Sequence, residues 1–543
     1  MPLASSLFAV LAFVIAGSTY SQSDTPVAPL LEDLGTLHHP ITTNSERAQI
    51  FFDQGLRLTY AFNHAEAARA FREAARLDPD CAMAYWGVGL ALGPNINDPM
   101  PHERELEAYA AVQTALALKS GASEKERAYI DALATRYYNK EDADRATLDA
   151  TYAKAMGALA EKYPDDPEAA TLYAAAIMNT MPWDYWTADL KPKPDTEIAI
   201  STLESVIASH PDHPGAHHYY IHIVEPSTDP GRAVPSAERL ANLMPGAGHL
   251  VHMPAHIYIR VGRYADASEA NVRAIAADEA YIAQCQAQGL YPVGYYPHNI
   301  HFLWAAATSE GNSEVAIDSA RKLADKVPRG DLTDFPSLQD FLVTPYYAFT
   351  RFGRWEEMLS EPPPPSDLVF TKGVWHYGRG VAFTATGQID RAEHELSELS
   401  KLIGNSTLEE LLINLSPARD ILGVAAKTLS GELAAKKGEF DEAIRFLEEA
   451  AAIQDGLRYS EPSPWHQPVR QVLGAVLLEA GRPAEAETVY HKDLDWNRHN
   501  GWSLYGLLQA QRAQGKTTEA AETQEEFEDA WARADVALTA SRF

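Results

Sequence analysis

Apolar and small positions recur at helical spacing along residues 48–79, break at a short polar turn, and recur again. In RAQIFFDQGLRLTYAFNHAEAARAFREAARLDPD the small positions are Gly55, Ala67 and Ala74, the large one is Phe71, and Pro79 closes the second run. Small residues let two helices approach, one aromatic fills the gap beside them, and proline stops the second helix. The pattern predicts a helix–turn–helix unit. The frame then returns. Ala82 opens the next unit with Gly89 at the place of Gly55, and Pro211 and Pro245 punctuate later helices 34 residues apart. Inter-helix turns are marked by Gly262, Tyr264 and Ala267, by Gly311 and Ala316, by Gly387, Ile389 and Ala392, and by Gly438, Phe440 and Ala443. Gly481 with Ala486 and Gly515 with Ala520 follow, again 34 residues apart.

A 34-residue period with this punctuation resembles the tetratricopeptide repeat (TPR), and a secreted bacterial-type member with a His-rich groove. The resemblance is strong at 48–80, 424–457 and 467–534 and more degenerate between them. It implies an all-α fold, a right-handed solenoid of about nine to ten helix pairs over residues 45–535, whose first helices line a concave groove, the usual ligand surface of the family. Three insertions break the period, at 181–195, 282–296 and 361–368. The first two are rich in aromatics and are candidate lids. The proline run at 361–368 reads as a stiff connector between one solenoid half at 45–360 and another at 369–543.

The repeat frame sharpens the chemistry. In the unit opening at Pro214, His218, His222 and Glu225 take positions 5, 9 and 12; in the unit opening at Gly248, His249, His252 and His256 take positions 2, 5 and 9. In the unit opening at Pro297, His298 and His301 take positions 2 and 5. At about 100° per residue these positions share one helix face. Positions 2, 5 and 9 of three units would carry about 0.3 histidines at this chain's frequency of 19 in 543 residues, so seven is an enrichment that needs a cause. First helices of successive units pack about 8–10 Å apart, which brings the imidazoles toward one centre.

Histidines one helical turn apart are a common way to hold a transition metal, and the seven are predicted metal ligands, with Glu225 as a catalytic ligand or base. Imidazole suits copper, iron and zinc, taken here with copper first. Their number exceeds what one tetrahedral ion needs, so either two ions bind or some of the rings support others. Pro254 falls inside the predicted helix 248–260 and is expected to kink it, re-aiming His252 relative to His256. His217 points off the stripe, and His64, His102, His394, His491 and His499 read as surface or satisfied core residues. Trp375–His376 and Trp465–His466 are weaker candidates. Trp86, Trp183, Trp186 and Tyr296 are the expected substrate-binding aromatics, while most other aromatics are core.

Composition narrows the partners. With 45 basic and 75 acidic residues the net charge is -30, a field that repels phosphate backbones and anionic lipid surfaces, so no nucleic acid or membrane partner is expected. The apolar run Leu7–Ala16, followed by small residues, reads as a cleaved signal peptide over 1–21 and a periplasmic or secreted protein, with 22–44 as a linker. No later stretch is long enough to span a membrane. Cys81 and Cys285 form no CxxC pair, no CxxCH exists for haem attachment, and no phosphate-binding or dinucleotide motif is present, so no haem or nucleotide is expected. The expected function is a copper or non-haem iron oxidoreductase acting on a small organic substrate in the groove. A scaffold that binds a peptide or protein without metal and a zinc-dependent hydrolase are the alternatives.

Overall fold

A computed structural model describes residues 25–139, 144–284, 291–327, 332 and 335–543. The expected signal peptide, Cys285 and part of the 282–296 insertion lie outside the described residues. Cys81 is buried with a free thiol, which burial pushes up to about 11. Such a group is an unreactive packing residue.

The chain is an all-α, TPR-like solenoid. Its described helices form twelve antiparallel pairs when Gly248–His252 and Pro254–Val261 are taken as one broken helix. The repeat frame leads one to expect about nine to ten. The pair Gln339–Arg351 and Trp355–Ser360 departs from the frame although Gly353 turns between its helices at φ +64°: its first helix contains Pro345 and its second is six residues long. Where the punctuation is present, its physical cause is visible. A Cβ on Gly55 would stand 2.7 Å from the Phe71 ring, so the small position is a contact of closest approach. Gly262 turns the chain at φ +82°, a left-handed conformation that costs other residues energy, and its missing Cβ also leaves room for the Arg498 carbonyl.

Two buried cores run through the stack, one from Ala28 to Ala306 and one from Trp304 to Ala510. They meet on the Tyr296–Ser309 helix rather than at 361–368. Across that proline run the Gln339–Arg351 helix packs directly on Val369–Ala385. Residues 25–44 are likewise no free linker. Leu31 donates its N–H to Gln54 Oε1 at 2.8 Å, the Thr42 hydroxyl bonds Glu126 at 2.6 Å, and Gly246 N–H bonds the Asp33 carbonyl at 2.8 Å.

The winding brings both ends of the solenoid onto its middle. Phe62, just past the Glu46–Tyr60 helix, stacks against rings of the Pro214–Val224 and Gly248–His252 helices. From the other end, Trp502 Nε1 donates to the Thr308 carbonyl at 3.0 Å and Asp535 accepts from Ser313 N–H at 2.7 Å. The groove that an open solenoid would leave exposed is thereby filled by the chain itself.

Candidate metal centre

Three first helices, Pro214–Val224, the broken helix Gly248–His252/Pro254–Val261 and Tyr296–Ser309, deliver the histidines. The break falls at Met253, one residue before Pro254, where proline cannot supply an N–H to continue the ladder. Met253 keeps helical angles, φ -50° and ψ -36°, so His252 and His256, four residues apart, still share one face.

Six imidazoles form two triads. His218, His222 and His249 make the first, and His252, His256 and His298 the second; within each, ring nitrogens lie within 4.8 Å of one another. The two adjoin, with His222 and His256 ring centroids 5.4 Å apart and His249 and His252 5.8 Å apart. All but the half-buried His298 are buried. Phe62 roofs the first triad, 4.4 Å from His218, and Phe302 floors the second, 4.5 Å from His256.

Hydrogen bonds decide where each ring keeps its proton. His218 Nδ1 meets the Tyr60 carbonyl at 2.6 Å, so it is the N–H and Nε2 is the lone pair. His252 Nδ1 meets Asn271 Oδ1 at 2.7 Å; the Asn271 amide N–H₂ is engaged on the Ala267 carbonyl, which orients its oxygen to the ring. Glu225 receives Nδ1 of both His222, at 3.2 Å, and His256. Four rings therefore hold Nδ1–H toward an acceptor and turn Nε2 inward, the arrangement that partners of ligating histidines impose. His252 Nε2 and His256 Nε2 stand 2.9 Å apart, and His222 Nε2 is buried without any partner. Lone pairs face lone pairs. Only a cation or an additional proton relieves that contact.

Electrostatics follow from burial. Burial pushes His218 down to about 3, and burial with mutual repulsion holds His222, His249, His252 and His298 well below the usual imidazole range. These rings are neutral, as ligands must be. Burial alone would lower His256 too, but the adjacent Glu225 and Glu461 carboxyls carry it up to about 9. Glu225 is itself raised to about 7, by burial first, with His256 opposing and Glu461 adding. Without an ion, the extra proton resides on His256.

Other expected site residues are dispersed. His301 turns toward the next unit, stacked on Trp304 at 5.1 Å with Nε2 3.9 Å from Asp340, outside both triads. Glu225 is not dispersed: it forms a third group with His222 and His256 that could hold an ion, and the atoms it meets there are their Nδ1 atoms, which also makes it a positioning carboxylate for the inward Nε2 atoms. Trp183 stands edge-on to His222 at 5.2 Å, and its N–H bonds Asn97. Trp186 bonds the Ile223 carbonyl at 2.8 Å. Trp86 packs in the core against Phe52 and Tyr129. Tyr296 faces Glu279 and Lys326; its neighbour Tyr295 is the ring 4.7 Å from His249. His217 bonds the Pro211 carbonyl and stays out of the cluster.

Several members were not singled out from sequence. Asn271 left a signal: it holds position 24 of its unit, where Phe71 supplies the aromatic filler in the first. Phe62 and Glu461 left none. Glu461 reaches from the 456–468 segment, outside the repeat, to lie 3.3 Å from His256 and 3.7 Å from Arg260. No helix among the described residues is long and apolar enough to cross a membrane.

No protein-family model and no curated protein matches the chain. Solved structures similar to it include the human IFIT1 dimer with m7Gppp-AAAA, 13% identical over 88% of this chain and 95% of that one, with a TM-score of 0.34. The APC/C hetero-tetramer Cut9–Hcn1 is 12% identical over 86% and 78%, with a TM-score of 0.32. Yeast Tom70 is 12% identical over 89% and 93%, with a TM-score of 0.28. No ligand or activity transfers at such distances.

Proposed function

We propose that the two triads each hold one transition-metal ion, copper before iron or zinc, and that the protein is a metal-dependent oxidoreductase acting on a small organic substrate. The observation that carries the reading is the 2.9 Å approach of His252 Nε2 and His256 Nε2 while both Nδ1 atoms are engaged elsewhere. Six imidazoles with no thiolate, and a carboxylate turned to the far side of the rings, are a donor set that suits copper better than the mixed His–carboxylate set of non-haem iron. Bound in adjacent sites, such ions would supply electron exchange with the substrate.

The chain's own residues do the rest. The Tyr60 carbonyl, Asn271 and Glu225 fix the tautomers and aim the Nε2 atoms. Phe62, Phe302 and Tyr295 exclude water from around the rings. His298 and Trp183 are half-buried, so substrate approaches on their side. A metal-free peptide groove is the less supported reading, because Phe62 and Glu461 occupy that surface. The expected secretion across a membrane belongs to the same reading, and cell fractionation tests it.

Elemental analysis of purified protein, with visible absorption and electron paramagnetic resonance, tests the proposal. Two copper ions per chain support it. Colourless, stoichiometric zinc would turn it to the hydrolase, whose zinc-bound water ionises near neutrality. Substoichiometric metal, with melting unchanged on adding copper, iron or zinc, would overturn both.

A further inference from the structure

A second buried polar cluster lies in the other core, away from the triads. Arg351 ends the Gln339–Arg351 helix and is 3% exposed. Its guanidinium lies flat on Trp502, 3.5 Å from the ring centroid, and Nη2 donates to Gln471 Oε1 at 2.6 Å. Nε and Nη1 are shut off from solvent and have no acceptor. Among the described residues no carboxylate forms an ion pair with the charge. Asp493 acts on the charge from a distance and is held by Ser503, Asn497 and Gln471. Burial lowers the guanidinium only to about 9, so it stays charged at neutral pH. A buried charge without a contacting counter-ion and with idle donors is among the costliest arrangements a fold can hold.

The idle groups around it are of one kind. His466 stacks on Tyr347 at 4.2 Å and 11°, and neither of its ring nitrogens has a partner. The Tyr347 hydroxyl is buried without one as well. Trp465 and Tyr377 complete the aromatic wall, 4.9 Å and 6.0 Å from the His466 ring. Arg351, Tyr347 and neutral His466 all offer N–H or O–H donors, and the one positive charge has no carboxylate in contact.

We propose that this cluster is a binding site for a small organic carboxylate, its oxygens taking the free donors of Arg351, His466 and Tyr347 and its apolar body lying against the aromatic wall. A monoanion balances the single charge, and a planar two-oxygen acceptor suits a guanidinium. The segment that carries His466 also carries Glu461, which touches His256. Occupancy therefore bears on the same strap that closes the triads. The site stands whether or not the triads hold metal.

The test uses the metal-free, full-length chain, with acetate and benzoate as probes and chloride as the control at constant ionic strength. Both carboxylates are expected to raise the melting temperature and to bind in calorimetry, benzoate more tightly, with chloride inert. Arg351→Met, which keeps the packing on Trp502, is expected to abolish both signals, and His466→Phe, which keeps the stack on Tyr347, to weaken them at least tenfold. No response of the wild type, an equal response to chloride, or an unchanged response in Arg351→Met would each overturn the proposal. Should Arg351→Met fail to fold, unchanged affinity in both His466→Phe and Tyr347→Phe would do the same.

Discussion

His252 and His256 aim their Nε2 atoms at each other across 2.9 Å while Asn271 and Glu225 hold both Nδ1 atoms. Without metal, the contact is held as a hydrogen bond by the extra proton on His256. An ion between the rings takes the place of that proton.

The first prediction separates the triads from their neighbour on the stripe. His252→Ala is expected to lose one of two ions, and His301→Ala to keep both, because His301 lies on Trp304 and Asp340. Metal-to-protein ratios of the two variants beside wild type check it. Equal loss in both would mean that His301 swings inward on binding.

Glu225→Gln addresses positioning. The carboxylate accepts from two Nδ1–H groups, whereas an amide has one oxygen and must present its N–H₂ to the other ring. One histidine is then forced into the wrong tautomer. Metal affinity is expected to fall about 10–100-fold, the usual cost of losing such a partner. Competition with a chelator of known affinity measures it, and Glu225→Asp, too short to reach both rings, should also fail to restore binding.

The sequence made the helices legible because its punctuation acts locally: glycine at a left-handed turn and a small residue under Phe71 are required wherever the unit occurs. The histidine stripe was legible for the same reason, since position on a helix sets the face. What lies opposite that face was not. His301 occupies the same frame position as His218 and His252, yet the next first helix offers it Asp340 and Phe341, and its ring follows them. Tyr295 and Tyr296 differ by one residue, hence by about 100° around the helix, and only one faces His249. Glu461 and Phe62 reach the centre because the solenoid closes on itself, a property of accumulated winding that no single repeat encodes.

Stability should depend on pH through two buried carboxyls. Burial raises Asp278 to about 7 against its bonds from Tyr291 and Asn299, and Asp340 to about 7 against its bond from Asn414. Both ordinarily titrate at 3.8. A carboxyl raised on folding favours the native state fully below its unfolded value and loses that stability as pH rises through its folded one. Unfolding free energy is thus expected to fall between pH 4 and 7 by up to about 1.4 kcal/mol per pH unit for each group. Asp340→Asn, which keeps an oxygen for Asn414 Nδ2, should leave stability at pH 3 little changed and raise it at pH 8. Urea titrations at the two values check the sign.

Closure over the triads should govern how fast metal leaves. Arg260 bonds the carbonyls of Glu225 at 3.0 Å, Trp496 at 3.1 Å and Ser227 at 3.2 Å, and its guanidinium lies 3.7 Å from the Trp496 ring centroid. It joins the helix that bears His256 to the end of the Pro483–Trp496 helix, and with Glu461 it pins the strap across the centre. Arg260 touches no inward Nε2 atom. Arg260→Ala is therefore expected to leave metal stoichiometry and the visible spectrum intact while speeding metal transfer to a chelator by at least tenfold. Stopped-flow chelation compares the rates. An unchanged rate would place the exit route elsewhere, on the side of His298 and Trp183, where Trp183→Ala should then accelerate it.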